Sequence, residues 1–263
     1  MIRIIPKNNE KAAEVKCNIK CLSKVDIKKI KSSLIKYGLI YFRNQKLSSK
    51  DYLKFSKNFG RPMLYPRLKG LNKLYPQITV VERKSKDKGP SFGEQFHTDS
   101  SYTKKPPRFT MLLSKVVPKK GKANTNFSCQ YLAYEKLPKK MKNKLKYLKG
   151  IFSSNGPIAK TTLERTIERG KLRKELKMTH NLIKTINKKK TIYCSLGHFI
   201  GFSKNEKHLD KFKINLFKHQ IKKEFQYSLE WEKNQLAIWD NRSMIHKATP
   251  FNGNRKMHRI TIR

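Results

Sequence analysis

Short apolar runs of strand length recur along this chain, and they constrain its fold more than any other feature. Leu39-Ile40-Tyr41-Phe42, Ile78-Thr79-Val80-Val81, Phe109-Thr110-Met111-Leu112-Leu113-Ser114, Thr191-Ile192-Tyr193-Cys194 and Gln235-Leu236-Ala237-Ile238-Trp239-Asp240 are each the length of a buried strand. None approaches the roughly 20 apolar residues that span a bilayer. Met257 to Arg263 alternates residue types at period two and predicts one more, half-buried strand. The opening, Met1-Ile2-Arg3-Ile4-Ile5-Pro6-Lys7, lacks the apolar core of a signal peptide, so the expectation is a cytoplasmic protein with no membrane contact.

Helices are predicted between the runs. Val25 to Ile35 spaces apolar residues along one helix face, with Asp26 placed to cap or start it and Gly38 to end it. Ser48-Ser49-Lys50-Asp51 carries the serine-to-acid spacing that satisfies free first-turn amides, opening a helix that runs to Phe59-Gly60. Tyr131 to Leu148 reads as two helical pieces broken at Pro138, and His208 to Tyr227 as one helix. Ile151 to Glu175 is charged and weakly patterned, and reads as a lid or surface insertion. With 263 residues, 37% of them hydrophobic, and no linker or internal repeat, the chain is expected to form a single domain, 1–263.

The net charge of +44 admits nucleic-acid binding, attraction of anionic metabolites, or lysine-heavy composition. Lysines are spread along the whole chain, as at Lys28-Lys29, Lys139-Lys140, Lys188-Lys189-Lys190 and Lys222-Lys223, which favours a solvated surface over a recognition element. Cys17, Cys21, Cys129 and Cys194 form no C-x-x-C pair, and reduced core or surface thiols are expected.

Two separated clusters carry chemistry. His97-Thr98-Asp99 puts an imidazole and a carboxylate at i and i+2, on one face if the segment is a strand. Alone this is a common accident. The second cluster, Trp239-Asp240-Asn241-Arg242-Ser243-Met244-Ile245-His246 followed by Arg255, supplies a second histidine. Two histidines and one carboxylate on one face of a metal leave three open positions, which suits Fe(II) binding a chelating oxoacid together with O2. Structural zinc would want four protein ligands, often cysteine, and no cysteine neighbours either cluster. His180, His198, His208 and His219 have no carboxylate at ligand spacing and read as structural, as does His258; Trp239 reads as core.

These motifs resemble the family of taurine and 2,4-dichlorophenoxyacetate dioxygenases, from Tyr37-Gly38-Leu39-Ile40-Tyr41-Phe42-Arg43-Asn44-Gln45 to Arg263. The resemblance implies a mainly β fold with flanking helices, a double-stranded β-helix or jelly roll. It also implies an Fe(II)- and 2-oxoglutarate-dependent dioxygenase that consumes O2, releases succinate and CO2, and hydroxylates a small anionic organic substrate. His97, Asp99 and His246 match the metal ligands. Thr125 and Arg255 match the residues that hold the distal carboxylate of 2-oxoglutarate. Arg259, four residues on and on the same strand face, is expected to meet the primary substrate or else to pair with an acid such as Asp240, and Tyr65 falls on the substrate side. Pro62 and Gly93 stand where taurine-using relatives carry a histidine and an asparagine, which argues against taurine itself. A relative acting on a nucleic-acid base, and a non-catalytic jelly-roll binding protein, stay open as alternatives. No specific nucleic-acid partner is expected, and a homo-oligomer is left open.

Overall fold

The computed structural model describes residues 2–65, 68–119, 121–161, 167–168, 171–172, 174–204 and 209–263. The first half of the chain runs β1 (Arg3–Lys7), β2 (Ala12–Lys16), α1 (Lys24–Tyr37), β3 (Leu39–Phe42), α2 (Ser49–Ser56), β4 (Pro62–Met63), β5 (Thr79–Arg83), β6 (Phe109–Val116) and β7 (Thr125–Cys129). There follow α3 (Gln130–Glu135), α4 (Lys139–Leu145), β8 (Lys149–Ser153), β9 (Ile167–Glu168), β10 (Lys171–Leu172), β11 (Lys177–Asn181), β12 (Ile183–Ile186), β13 (Lys189–Ile192) and β14 (Phe199–Phe202). The last third holds α5 (Leu209–Gln220), β15 (Gln226–Leu229), β16 (Leu236–Asp240), β17 (Met244–Ala248) and β18 (Arg255–Ile262).

The architecture is mostly β: a jelly roll in which a large sheet faces a small one. The large sheet orders its strands β1-β2-β3-β16-β6-β18-β4, with β5 also on β18, and all pairings but β2 with β3 are antiparallel. The small sheet is β15-β7-β17. Between them, Leu39, Tyr41, Leu112, Trp239 and Met257 of the large sheet pack on Phe127, Cys129, Leu229 and Met244 of the small one. The back of the large sheet is covered by Ile30 and Leu34 of α1 and Tyr52 and Phe55 of α2. That cover corrects the expectation of a half-buried C-terminal strand. β18 is central, so Arg255, Met257 and Arg259 point between the sheets while Ile260 and Ile262 point at the helices, and both faces are buried.

The helix starts follow local chemistry. Ser23, rather than Asp26, caps α1: its hydroxyl accepts from the Asp26 amide, and Asp26 accepts in return from the Ser23 amide, each at 3.1 Å. Ser48 and Asp51 repeat the arrangement at α2. Gly38 ends α1 at φ 72°, and a Cβ there would lie 2.8 Å from Met244 Sδ, so both backbone sign and packing require glycine.

Pro138 separates α3 from α4 as its missing N–H and ring demand. The helix predicted to reach Tyr227 ends at Gln220, and Tyr227 lies in β15, paired with Phe127; His208 is outside the described residues. The expected insertion at Ile151–Glu175 begins instead in the core, because β8 lies between β11 and β14 with Phe152 fully buried; 162–166, 169–170 and 173 are outside the described residues. Cys17, Cys21, Cys129 and Cys194 are all free thiols.

Candidate active site

His97 and His246 are brought together by backbone. The two residues form an antiparallel bridge, His97 N–H to His246 O and His246 N–H to His97 O, both 2.9 Å. The H-x-D segment is therefore not the strand that the i, i+2 spacing suggested but one bridged residue followed by a turn in which Ser100 has φ 47°. Its other edge is held by the loop before β14: Gly197 N–H donates to Phe96 O at 2.9 Å, and Thr98 N–H to Ser195 Oγ at 2.8 Å.

Ligand atoms of His97, Asp99 and His246 all lie within 4.8 Å of one another, and the three residues are buried. Asp99 Oδ1 is 3.7 Å from His97 Nε2 and 3.9 Å from His246 Nε2, so one carboxylate oxygen faces both rings. The His97 Nδ1 sits 2.7 Å from the Gln95 carbonyl, which fixes its proton there and leaves Nε2 with a free lone pair. Burial lowers the pKa of both imidazoles, with His97 adding to the effect at His246. Burial alone would raise the Asp99 carboxyl, but Arg259, then His246 and His97, hold it below the usual carboxylate range. Neutral imidazoles beside an ionised carboxylate, with no thiolate, are the donor set that fits Fe(II).

A relay behind Asp99 escaped the sequence reading. Trp239 Nε1–H donates to Asn241 Oδ1 at 3.0 Å, Asn241 Nδ2–H to Thr110 Oγ1 at 2.8 Å, and the Thr110 hydroxyl to Asp99 Oδ2 at 2.6 Å. The outer oxygen is thus occupied and Oδ1 is turned inward. Trp239 is core, as expected, yet also carries this polar contact and packs at 4.7 Å from the His246 ring. The only signal in the sequence was the Trp239-Asp240-Asn241-Arg242 run itself; the partner Thr110 on β6 is set by sheet register.

Arg255 lies on the same cavity wall, 7% exposed, with its guanidinium between the Trp231 and Phe251 rings at 5.8 and 5.7 Å. No acid pairs with it among the described residues, its Nε is buried without a partner, and burial lowers its pKa to about 10. Thr125 Oγ1 is 3.4 Å from Arg255 Nη2 and accepts from Trp231 Nε1 at 2.9 Å, so its own proton is free to donate. Arg259 Nη2 is 2.9 Å from Asp99 Oδ1, and the Tyr65 ring stacks 4.3 Å from its Cζ. Its acid is therefore Asp99; Asp240 is taken by Arg242 within the β16–β17 turn.

His97, Asp99, His246, Thr125, Arg255 and Arg259 all line one cavity of about 50 Å3, and Tyr65 reaches it through Arg259. Two roomier clefts of about 530 and 640 Å3 share no lining residue with it. Among the described residues outside the cluster, His219 meets the Ala133 carbonyl, His180 meets the Ser101 carbonyl, and His258 is buried on the strand face opposite Arg255 and Arg259.

A jelly roll with a His-Asp-His cluster and a buried, unpaired arginine between its sheets defines a metal-dependent oxygenase. The chain belongs to the taurine catabolism dioxygenase TauD, TfdA family, whose model matches residues 9–261. It is an Fe(II)- and 2-oxoglutarate-dependent dioxygenase. It is 23% identical to the alpha-ketoglutarate-dependent 2,4-dichlorophenoxyacetate dioxygenase of Cupriavidus pinatubonensis, over 91% of this chain and 89% of that protein. It is 24% identical to an alpha-ketoglutarate-dependent sulfate ester dioxygenase of Pseudomonas putida, over 92% and 82%. Its fold matches that of AAD-2 solved with Mn(II) and N-oxalylglycine, at a TM-score of 0.84 and 21% identity, over 100% of this chain and 97% of that one.

Proposed function

We propose that His97, Asp99 and His246 hold Fe(II), that Thr125 and Arg255 bind the distal carboxylate of 2-oxoglutarate, and that Arg259 with Tyr65 receives the anionic head of a small organic substrate. The observation that carries this reading is the unpaired guanidinium of Arg255. A buried charge is strongly disfavoured without a counter-charge, and a planar donor beside a free hydroxyl suits a carboxylate. When bound, Fe(II) with 2-oxoglutarate and O2 supplies oxidative decarboxylation, giving succinate and CO2, and hydroxylation of a substrate C–H bond.

The chain's own residues do the placing. Arg255 and Thr125 fix one end of the cosubstrate so that its other end meets the histidine cluster. Trp239, Asn241 and Thr110 keep Asp99 oriented. Trp231, Phe251, Leu112 and Met257 keep water out. Arg259 retains an unpartnered Nε, and the relatives' named substrates, 2,4-dichlorophenoxyacetate and sulfate esters, are anions. Dispersed lysines and +44 net charge support anion attraction and give no nucleic-acid recognition element, so no specific nucleic-acid partner is proposed.

We further propose one domain over 1–263, acting in the cytoplasm and able to self-associate. No helix among the described residues is long and apolar enough to cross a membrane. The test is succinate formation with Fe(II) and 2-oxoglutarate across small sulfonates, sulfate esters, carboxylates and quaternary amines. Stimulation by one anionic class is expected; stimulation only by a cationic or neutral compound would refute the assignment of Arg259.

A further inference from the structure

The cleft of about 530 Å3 opens where α1 faces α2, on the helical side of the large sheet. Its walls are one stripe from each helix. Lys24, Ile27, Lys28 and Lys31 stand at i, i+3, i+4 and i+7 on α1, and Asp51, Lys54, Phe55 and Asn58 repeat that spacing along α2 and the 3-10 turn after it. Helices side by side on a sheet ordinarily close on each other through apolar side chains. Here lysines on both walls hold the gap open.

Lys24, Lys28, Lys31 and Lys54 have no ion-pair partner among the described residues. The acid on the walls, Asp51, is already committed: its carboxylate accepts from Ser48 and lies 3.4 Å from Lys20. Like charges four residues apart on a helix, as Lys24 and Lys28 are, are destabilising. Beneath the ammonium groups lies an apolar floor of Ile19, Leu22, Ile27 and Phe55. Lysines dispersed along the sequence are thus gathered by the fold around apolar surface. The volume falls within the range of sites for small organic molecules, roughly 300–1,000 Å3. A concave cleft does not fit a bilayer surface, and Phe55, 4% exposed, offers no ring face on which a base could stack.

We infer that the α1–α2 cleft is a second binding site, for a small amphiphilic organic anion whose apolar body covers the floor and whose sulfate, sulfonate or carboxylate head sits among Lys24, Lys28, Lys31 and Lys54. The cleft shares no residue with the active cavity, so this site stands independently of the roles given to Arg255 and Arg259. Both parts of the ligand are needed. Exposed ammonium groups hold a hydrated inorganic anion weakly, and an uncharged chain leaves the repulsion among the lysines unrelieved.

Calorimetry on the full chain at low salt measures binding of octyl sulfate, with octan-1-ol as the same chain uncharged and inorganic sulfate as the charge without a chain. Octyl sulfate should bind roughly tenfold or more tightly than either. The double variant Lys28→Gln/Lys54→Gln should weaken octyl sulfate roughly tenfold and melt no lower than the parent, because it relieves like-charge repulsion; Lys24→Gln/Lys31→Gln should behave alike. The control Lys188→Gln/Lys190→Gln removes the same charge from the β12–β13 hairpin and should change affinity by less than about twofold. An equal loss in the control would show only the net charge at work and overturn the site. So would octanol or inorganic sulfate binding as tightly as octyl sulfate, or octyl sulfate not binding at all. Loss of binding in Arg259→Gln but in neither cleft variant would place the molecule in the active cavity and likewise overturn the inference.

Discussion

Arg255 concentrates the energetics of this site. Cutting a buried charge-assisted pair costs about 2–5 kcal/mol, so Arg255→Gln should raise the 2-oxoglutarate KM by roughly 30-fold or more. It should also slow succinate production without primary substrate. Because the folded state then no longer buries an unpaired guanidinium, the same variant should be at least as thermostable as the parent without ligands; both are read by kinetics and a melting curve. Arg259 differs, since it contacts a proposed metal ligand: Arg259→Gln should raise the primary-substrate KM and also alter Mn(II) affinity measured by titration. A change in neither would leave Arg259 with no role at the site. Thr110→Val removes the donor to Asp99 Oδ2 and strands the Asn241 amide. Loss of such an outer contact weakens metal binding about 10- to 100-fold, which the same titration would show.

At the scale of elements, β18 supplies both arginines of the site, because a central strand has one face for the cavity and one for the core. The spacing of Arg255 and Arg259 at i and i+4 places both on the cavity face and was legible beforehand. What they pair with was not: Asp99 reaches Arg259 from a segment that is neither strand nor helix, and its position depends on the bridge to β17, the loop before β14 and the Thr110 hydroxyl. Capping signals were legible because they are local, as the Ser48 and Asp51 box shows. β7 and β17, which hold Thr125 and His246, are five residues each and interleave polar with apolar side chains, so neither forms a continuous apolar run that announces a strand. Gly38→Ala should lower stability by about 1–3 kcal/mol, combining positive φ with the clash on Met244. Denaturant melts would show a shifted midpoint, and an unchanged one would mean that the α1–β3 turn relaxes freely.

Over the whole molecule, pH acts through histidines buried as neutral groups away from the metal cluster. Burial lowers His258 from 6.5 to about 4, and lowers His180 and His219. The unfolded chain takes up these protons near pH 6.5 while the folded chain does not. Their contribution is therefore fully present above about 6.5 and is lost as pH falls toward the folded values. For His258 the loss is at most about 3 kcal/mol, reached near pH 4. Denaturant melts between pH 7.5 and 4.5 should show falling stability, with a shallower fall in His258→Gln; identical slopes would show that His258 is not buried neutral. The +44 charge adds self-repulsion, so moderate salt should stabilise the protein while weakening capture of anions.

The sequence by itself determined the buried strands β3, β6 and β16 and the capped start of α2, and it singled out His97, Asp99, His246, Thr125 and Arg255 as the residues proposed for the site, because each depends on local spacing or on a motif of fixed residue types. Tertiary structure alone decided which acid meets Arg259, that Thr110 and Asn241 orient Asp99, and that the His198 ring lies 6.0 Å from the His97 ring. Those contacts join residues from 11 to 160 positions apart, and strand register and loop docking, rather than any local preference, bring them together.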